Sequence, residues 1–213
     1  MFQSRCGILC NECTYKEKVN CLGCVAIDKP FWGESCPVKD CCEGKSHEHC
    51  GQCSNFPCEL LNEFAYDKEQ GDNGKRIETC RLWSMKEKVQ SDGFDIDSFV
   101  HAVVTQNATA LKSFFTPEAV ISWHDSNEQF DLDEYIRANC EYPGSWSGAV
   151  QRIEKSGDTI IMVTKIWSNE SSHSITAFAK LVGGKISRLD EYYSDINEAP
   201  VWRKDMNIGK PIN

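Results

Sequence analysis

The chain has 213 residues, 40% of them hydrophobic and 10% aromatic, which is enough apolar material for one large or two small packed domains and excludes a disordered chain. The formal net charge of −9 divides as −2 through residue 90 and −7 beyond it, so no basic footprint exists for phosphates and nucleic-acid binding is set aside. No run approaches the ~20 apolar residues of a membrane span, and Met1-Phe2-Gln3-Ser4-Arg5-Cys6 lacks the basic and apolar regions of a secretory leader, so the expected setting is cytoplasmic, away from membranes.

Thirteen cysteines dominate the first part: eleven lie from Cys6 to Cys58, followed by Cys80 and Cys140 alone. Disulfides rarely persist in a reducing cytosol, which leaves metal as the leading explanation. Residues 1–57 carry little helix-period pattern and much Cys, Gly, Pro and charge, so they cannot bury a core without a cross-link. Three C-x2-C pairs are present, and in each the two sulfurs can swing to one ion at ~2.3 Å, two pairs completing a tetrahedron. The simplest first site is Cys10, Cys13, Cys21 and Cys24; the simplest second is Cys36, Cys41, Cys50 and Cys53, with Cys6 or Cys58 as additional or alternative ligands. Two zinc ions are the expected cofactors, and an iron–sulfur cluster is the alternative, because an all-thiolate set suits either. The Cys6-x3-Cys10-x2-Cys13 spacing also occurs in radical S-adenosylmethionine enzymes, but the alternating strand–helix pattern of their barrel is missing. Cys42, Cys80 and Cys140 read as core thiols, and Ser46-His47-Glu48-His49 as a solvated loop.

Two helices follow. Glu59 to Gln70 groups Leu60, Leu61, Phe64 and Ala65, and Lys75 to Gln90 carries Ile77, Cys80 and Trp83, with a Gly71-Asp72-Asn73-Gly74 turn between them making a helical hairpin. Composition changes at Ser91-Asp92-Gly93, which divides the chain into domains at 1–91 and 92–213. Beyond it Asp95 caps a helix striped by Ile96, Phe99, Val100, Val103 and Val104, and a second helix carries Ala108, Leu111, Phe114 and Phe115 until Pro117 stops it. Ala119 to His124 reads as a strand, and Asp131 with Glu134 starts a capping-box helix bearing Leu132, Tyr135, Ile136, Asn139 and Cys140 that runs to Pro143-Gly144. The rest is an antiparallel meander of Gly148 to Glu154, Thr159 to Trp167, Ser174 to Val182 and Lys185 to Ser194, with Gly183-Gly184 suited to a two-residue turn. The predicted class is α+β, a cysteine-rich metal-bound module with a helical hairpin followed by a curved sheet wrapped on helices.

Alternation puts Trp123 on one side of its strand and His124 on the other, and places Glu191 on the apolar side of the last strand with Leu189 and Tyr193. A carboxyl among such neighbours has a raised pKa and can act as acid or base, which makes Glu191 a weak catalytic candidate against the commoner role of an ion pair at a cavity mouth. The expected ligand pocket comprises Trp123, Tyr135, Asn139, Thr176, Glu191 and Tyr193, whose aromatic walls suit a small apolar or aromatic molecule. Asn139 sits on an apolar stripe and needs a partner, and a homodimer through the second domain stays open.

Two resemblances add to these readings. The segments Cys6-Gly7-x2-Cys10-x2-Cys13, Cys21-x-Gly23-Cys24, Cys36-x4-Cys41 and Cys50-Gly51-x-Cys53-x2-Phe56-Pro57-Cys58-Glu59-Leu60 resemble the DUF3795 family over about residues 5 to 85. That family is cysteine-rich and presumed to bind zinc, with no assigned reaction, and Cys42 departs from its pattern. The element order from residue 94 on, closing with Glu191-Tyr192-Tyr193-Ser194-Asp195 and Pro200-Val201-Trp202-Arg203, resembles the SnoaL-like branch of the NTF2-like superfamily. The resemblance implies a cone with an apolar cavity, and fold alone does not choose among isomerases, cyclases, dehydratases and binding modules. The ketosteroid-isomerase-like members use two Asp residues; counting from Phe115 the first position falls on Trp123, and counting back from Gly184 the second falls on Thr176. Neither can do a carboxylate's work, so a proton-shuttling isomerase of that type is disfavoured and whether the domain is an enzyme stays open. The sequence alone supports two functions: a zinc–thiolate module joined to a small-molecule pocket, or a non-enzymatic metal- or redox-responsive interaction protein that uses the second domain as a dimerisation scaffold.

Overall fold

The computed structural model describes residues 2–13 and 15–210, and the chain divides into two compact units, Met1–Lys88 and Val89–Asn213. The composition change at Ser91-Asp92-Gly93 lies just beyond this division.

The first unit is built on tight turns. Single 3-10 turns at Cys10–Glu12 and Cys50–Gln52 open two of the C-x2-C pairs, and Cys13 and Cys53 each return a backbone N–H to the carbonyl of the cysteine that begins its pair. Helix α1, Pro37–Gly44, is an element the apolar pattern did not show; Pro37 at its first position, after an extended Cys36, is its signal. Helix α2 covers Glu59–Ala65 and is shorter than expected, because Asp67 Oδ1 accepts the N–H groups of Glu69 and Gln70 and turns the chain away from the helix. Helix α3 spans Lys75–Ser91. Gly7 has φ +94°, and a Cβ there would stand 2.0 Å from the Arg76 carbonyl oxygen, so glycine alone lets the N-terminal loop lie against α3. The packed centre is small: Val38, Leu61, Ala65 and Ile77 are buried, and Cys6, Cys36, Cys50, Cys58, Phe56, Leu60 and Phe64 pack on them. Sulfur thus supplies part of what aliphatic carbon supplies in a larger core.

The second unit is α+β. Helices α4, Ile96–Val104, and α5, Ala108–Ser113, are capped by the Asp95 and Asn107 side chains. Strands β1, Phe115–Trp123, and β2, Glu128–Phe130, precede α6, Leu132–Cys140, whose Asp131/Glu134 capping box forms in both directions. Strands β3, Ser147–Ser156, β4, Thr159–Trp167, β5, Ser172–Val182, and β6, Lys185–Asp195, follow, and a short helix α7 covers Val201–Asp205. The six strands form one sheet in the order β2-β1-β6-β5-β4-β3. The expected antiparallel meander holds from β3 to β6, but the sheet is mixed, because β1 runs parallel to β6. That pair joins strands far apart in the chain and has no local turn to announce it.

Pro117 does not stop α5. The helix ends at Ser113, and Pro117 lies in β1 where the pairing with β6 is interrupted between Phe115 and Val120, a place where its missing N–H costs no ladder bond. Extra residues Gln151 in β3 and Ser187 in β6 break the register of their pairs; such bulges bend a sheet. The Ser187 bulge also lets both Ile186 and Leu189 face inward, and its hydroxyl donates to the Lys180 carbonyl at 3.1 Å. Gly183 and Gly184 have φ of 58° and 77°, the pair of positive values a primed hairpin turn demands. Helix α4 packs on β3 and α6 on β1. The core between helices and sheet includes Phe99, Leu111, Ile121, Tyr135, Ile160 and Leu189.

Candidate functional site

All thirteen cysteines occur as free thiols, twelve in the first unit and Cys140 in the second. Cys6, Cys10, Cys13, Cys21, Cys24 and Cys36 line one cavity of about 540 Å³, walled by Phe31, Trp32 and Phe64. Burial beside the thiols of Cys6, Cys10 and Cys36 pushes Cys24 up to about 11. Cys36 therefore stands with the first group of cysteines rather than with Cys41, Cys50 and Cys53. Cys53 accepts a hydrogen bond from Lys45 Nζ at 3.7 Å, and Cys41 faces the same ammonium. Cys50 hydrogen-bonds Cys42, which lowers Cys42 and raises Cys50. Cys58 is the N-cap residue of α2 and packs on the small core. The chemistry of six thiols around one cavity suits a thiophilic ion, whereas among the described residues no three His, Cys, Asp or Glu side chains stand as a metal-holding group.

The reading of His49 as solvated is corrected. Its ring is 0% exposed, packed on Phe2 and Trp83 with centroids 4.4 and 5.4 Å away. Nδ1 accepts the Gly51 N–H at 3.1 Å, so Nε2 carries the proton and donates to Glu87 at 3.2 Å. Burial holds its pKa below the ordinary value. No local pattern predicts this, since Glu87 and Trp83 come from α3.

In the second unit a cavity of about 270 Å³ is lined by Trp123, Asn139, Tyr193, Trp146, His173 and Asp195 among others. Glu191 does not line it. It lies one layer further in, 5% exposed, where Trp123 Nε1 donates to Oε2 at 2.8 Å and the Tyr193 hydroxyl stands 3.5 Å from the same oxygen. Burial raises Glu191 to about 7, against the lowering effect of those two donors. Glu191 thus lies behind Trp123 and Tyr193, which line the cavity in its place. Tyr135 is also behind the wall, fully buried; its hydroxyl meets no partner in full hydrogen-bond geometry, and the Asn139 side chain stands close enough to favour the phenolate. Burial, and then the Glu191 charge, push that phenol far up. Asn139 lines the cavity, and its Nδ2 is buried without a partner. Its backbone carbonyl accepts from Gln106 Nε2 at 3.2 Å.

Thr176 does not belong with this group. Ile175, Ala177 and Ala179 are buried toward the helices, so Thr176 points to the opposite face beside Tyr192, its partner on β6. Counting back from Gly184 overlooked that alternation, which is visible in the sequence. His124 is on the outer face as well, stacked on Tyr192 at 4.3 Å and 3.1 Å from Asp190. Asp125, His173 and Asp195 line the cavity and were not singled out as site residues; Asp195 ends the last strand, and its pairing with His173 follows from register rather than from any motif. Cys140, at the end of α6, is raised by burial and by the Glu141 charge, which disfavours its thiolate.

Among the described residues no helix is long and apolar enough to cross a membrane. No curated protein matches the chain significantly. Solved structures similar to it include a protein from Kribbella flavida proposed as a ketosteroid isomerase, 17% identical with a TM-score of 0.49 over 60% of this chain and 93% of that one. An NTF-2 like protein of unknown function from Burkholderia xenovorans is 21% identical with a TM-score of 0.49, over 61% of this chain and 98% of that one. A protein from Shewanella putrefaciens proposed as a SnoaL-like polyketide cyclase is 9% identical with a TM-score of 0.42, over 50% and 89% respectively. The α+β description of the second unit rests on its own strand order and register. Residues 2–63 match the family described as a protein of unknown function, DUF3795.

Proposed function

We propose that residues 89–213 form an NTF2-like cone that binds a small apolar or aromatic molecule, and that residues 1–88 form a zinc–thiolate module, the whole acting in the cytoplasm. The observation that supports the pocket is a buried carboxyl at about 7, held by Trp123 and Tyr193, next to a cavity where the Asn139 amide lacks a partner. Such a group exchanges a proton near neutral pH, and an unpaired buried amide gains most from a ligand carbonyl or hydroxyl. Titration with 1-naphthol, followed by quenching of tryptophan fluorescence, should saturate, and Asn139→Leu should weaken binding about tenfold. Equal affinity in the variant removes this pocket from the proposal.

The module reading is supported by six thiols on one cavity beside a core too small to hold loops by itself. Two zinc ions shared among Cys6, Cys10, Cys13, Cys21, Cys24, Cys36, Cys41, Cys50, Cys53 and Cys58 would supply the missing cross-links, and their binding would be coupled to folding. Elemental analysis should find zinc, and a strong chelator should unfold the first unit while the second keeps its own transition. Iron with acid-labile sulfide and visible colour would replace zinc by an iron–sulfur cluster, and a metal-free chain with an unchanged melt would refute both.

A second reading draws on Cys41 and Cys53, which stand beside Lys45 and apart from the six-thiol cavity. Thiols outside a metal cavity can respond to oxidants or soft metals, as in a non-enzymatic sensor with the second unit as a dimerisation scaffold. Selective alkylation of Cys41 and Cys53 in the metal-loaded protein favours it; uniform protection of all cysteines excludes it.

A further inference from the structure

We propose that Ser171, His173 and Asp195 form a nucleophilic relay beside the second unit's cavity, which His173 and Asp195 line, and that the protein hydrolyses small carboxylic esters with an apolar or aromatic acyl group. Ser171 stands just before β5, and His173, two positions on, shares its side of the extended chain. Asp195 is the register partner of His173 on β6. His173 Nδ1 is 2.9 Å from Asp195 Oδ1, and Nε2 is 3.0 Å from the Ser171 hydroxyl. An ionised carboxylate can only accept, so Nδ1 bears a proton, and in the neutral imidazole Nε2 keeps a lone pair to which the serine hydroxyl donates. That is the polarity a serine nucleophile needs.

The surroundings fit acyl transfer. Ser168 fixes the turn, its N–H donating to the Ser171 carbonyl at 2.9 Å and its Oγ accepting the Ser171 N–H at 3.2 Å. His173 and Asp195 open on the cavity, Trp146 packs against the imidazole with centroids 5.7 Å apart, and Ile166 adds an apolar wall.

Ser171 Oγ bonds to the ester carbonyl carbon as its proton passes to His173 Nε2, and the carbonyl π pair moves to oxygen. The pair returns, the bond to the leaving alkoxide breaks, and His173 gives that oxygen its proton. Water then repeats the sequence on the acyl-serine, which releases the carboxylic acid and restores the hydroxyl. The His173 side chain is 22% exposed, so water reaches it.

The inference rests on the cavity as a small-molecule site, and its test is separate from ligand binding. Diisopropyl fluorophosphate, a serine-directed reagent, should leave one adduct on the Ser171 peptide by mass spectrometry. Ser171→Ala should abolish the adduct, and His173→Gln should slow labelling at least about a hundredfold. Hydrolysis of 4-nitrophenyl acetate should fall in parallel. An unlabelled Ser171 in the wild-type chain, or equal labelling rates in folded His173→Gln, overturns the proposal. Should that variant not fold, the wild-type adduct and its loss in Ser171→Ala decide alone. Labelling with no naphthol binding would sink the apolar-pocket reading, and naphthol binding with no adduct would sink this one.

Discussion

Trp123 and Glu191 face each other across the parallel β1–β6 pair, and the indole Nε1 donates to Glu191 Oε2 at 2.8 Å. The contact depends on strands that meet only when the sheet closes on its first strand. Among its effects on the carboxyl, burial wins: the Trp123 and Tyr193 donors pull the pKa down, yet it settles at about 7. Nearby Asp125, if ionised, pushes in the same direction as burial.

The sign of the resulting pH dependence follows from linkage. The folded chain holds the Glu191 proton more tightly than an unfolded chain, whose carboxyl has the ordinary value of 4.5. The contribution is fully present below 4.5 and is lost as pH rises through about 7, on the order of 3 kcal/mol in all. Glu191→Gln keeps an oxygen acceptor for Trp123 and cannot ionise. The variant should therefore gain stability over the wild type above neutral pH and match it near pH 4.5. Thermal unfolding of the second unit across that range is the check, and parallel curves for the two chains would show that Glu191 does not titrate as described.

What was legible in the sequence is what local chemistry decides. The Asp131 capping box, the Gly183-Gly184 turn and the apolar stripe of α4 depend on neighbours a few residues away, and each forms as read. Long-range relationships were not legible. The parallel β1–β6 pair, the burial of His49 against Trp83, and the His173–Asp195 contact all join distant segments. Glu191 lay between the two cases: alternation placed it correctly on the inner face with Leu189, but could not show that Trp123 and Tyr193 screen it from the cavity. Pro117 was misread because a proline that ends a helix and one that sits in an interrupted strand look alike until the strand's partner is known.

Gly7 offers a test of how the first unit is assembled. A methyl group there meets the Arg76 carbonyl oxygen at 2.0 Å and Cys80 Sγ at 2.9 Å, in a backbone conformation with φ +94° that alanine rarely adopts. Both backbone and loop must move, so Gly7→Ala should destabilise the first unit on the order of 3 kcal/mol. Gly44, in α1, has nothing within 4 Å of its ideal Cβ, and Gly44→Ala should be neutral or stabilising by about 0.5 kcal/mol. Urea denaturation followed by far-ultraviolet circular dichroism separates the two variants, and equal midpoints would mean that the loop does not rest on α3.

Tyr135 and Asn139 lie one turn apart on α6, and each carries a buried polar atom without a partner. They differ in access, since Asn139 lines the cavity and Tyr135 is 0% exposed behind it. A ligand can satisfy the amide but not the phenol. Removing the Tyr135 hydroxyl relieves an uncompensated desolvation while the ring keeps its edge contact with Phe115, at 5.4 Å between centroids. Tyr135→Phe should therefore raise the stability of the second unit by about 1 kcal/mol, whereas Leu189→Ala in the same core should lower it by roughly 2–5 kcal/mol. Equilibrium urea unfolding measures both. A Tyr135→Phe chain less stable than the wild type would mean that the hydroxyl is hydrogen-bonded in solution, the Asn139 side chain one turn along α6 being the group placed to do it.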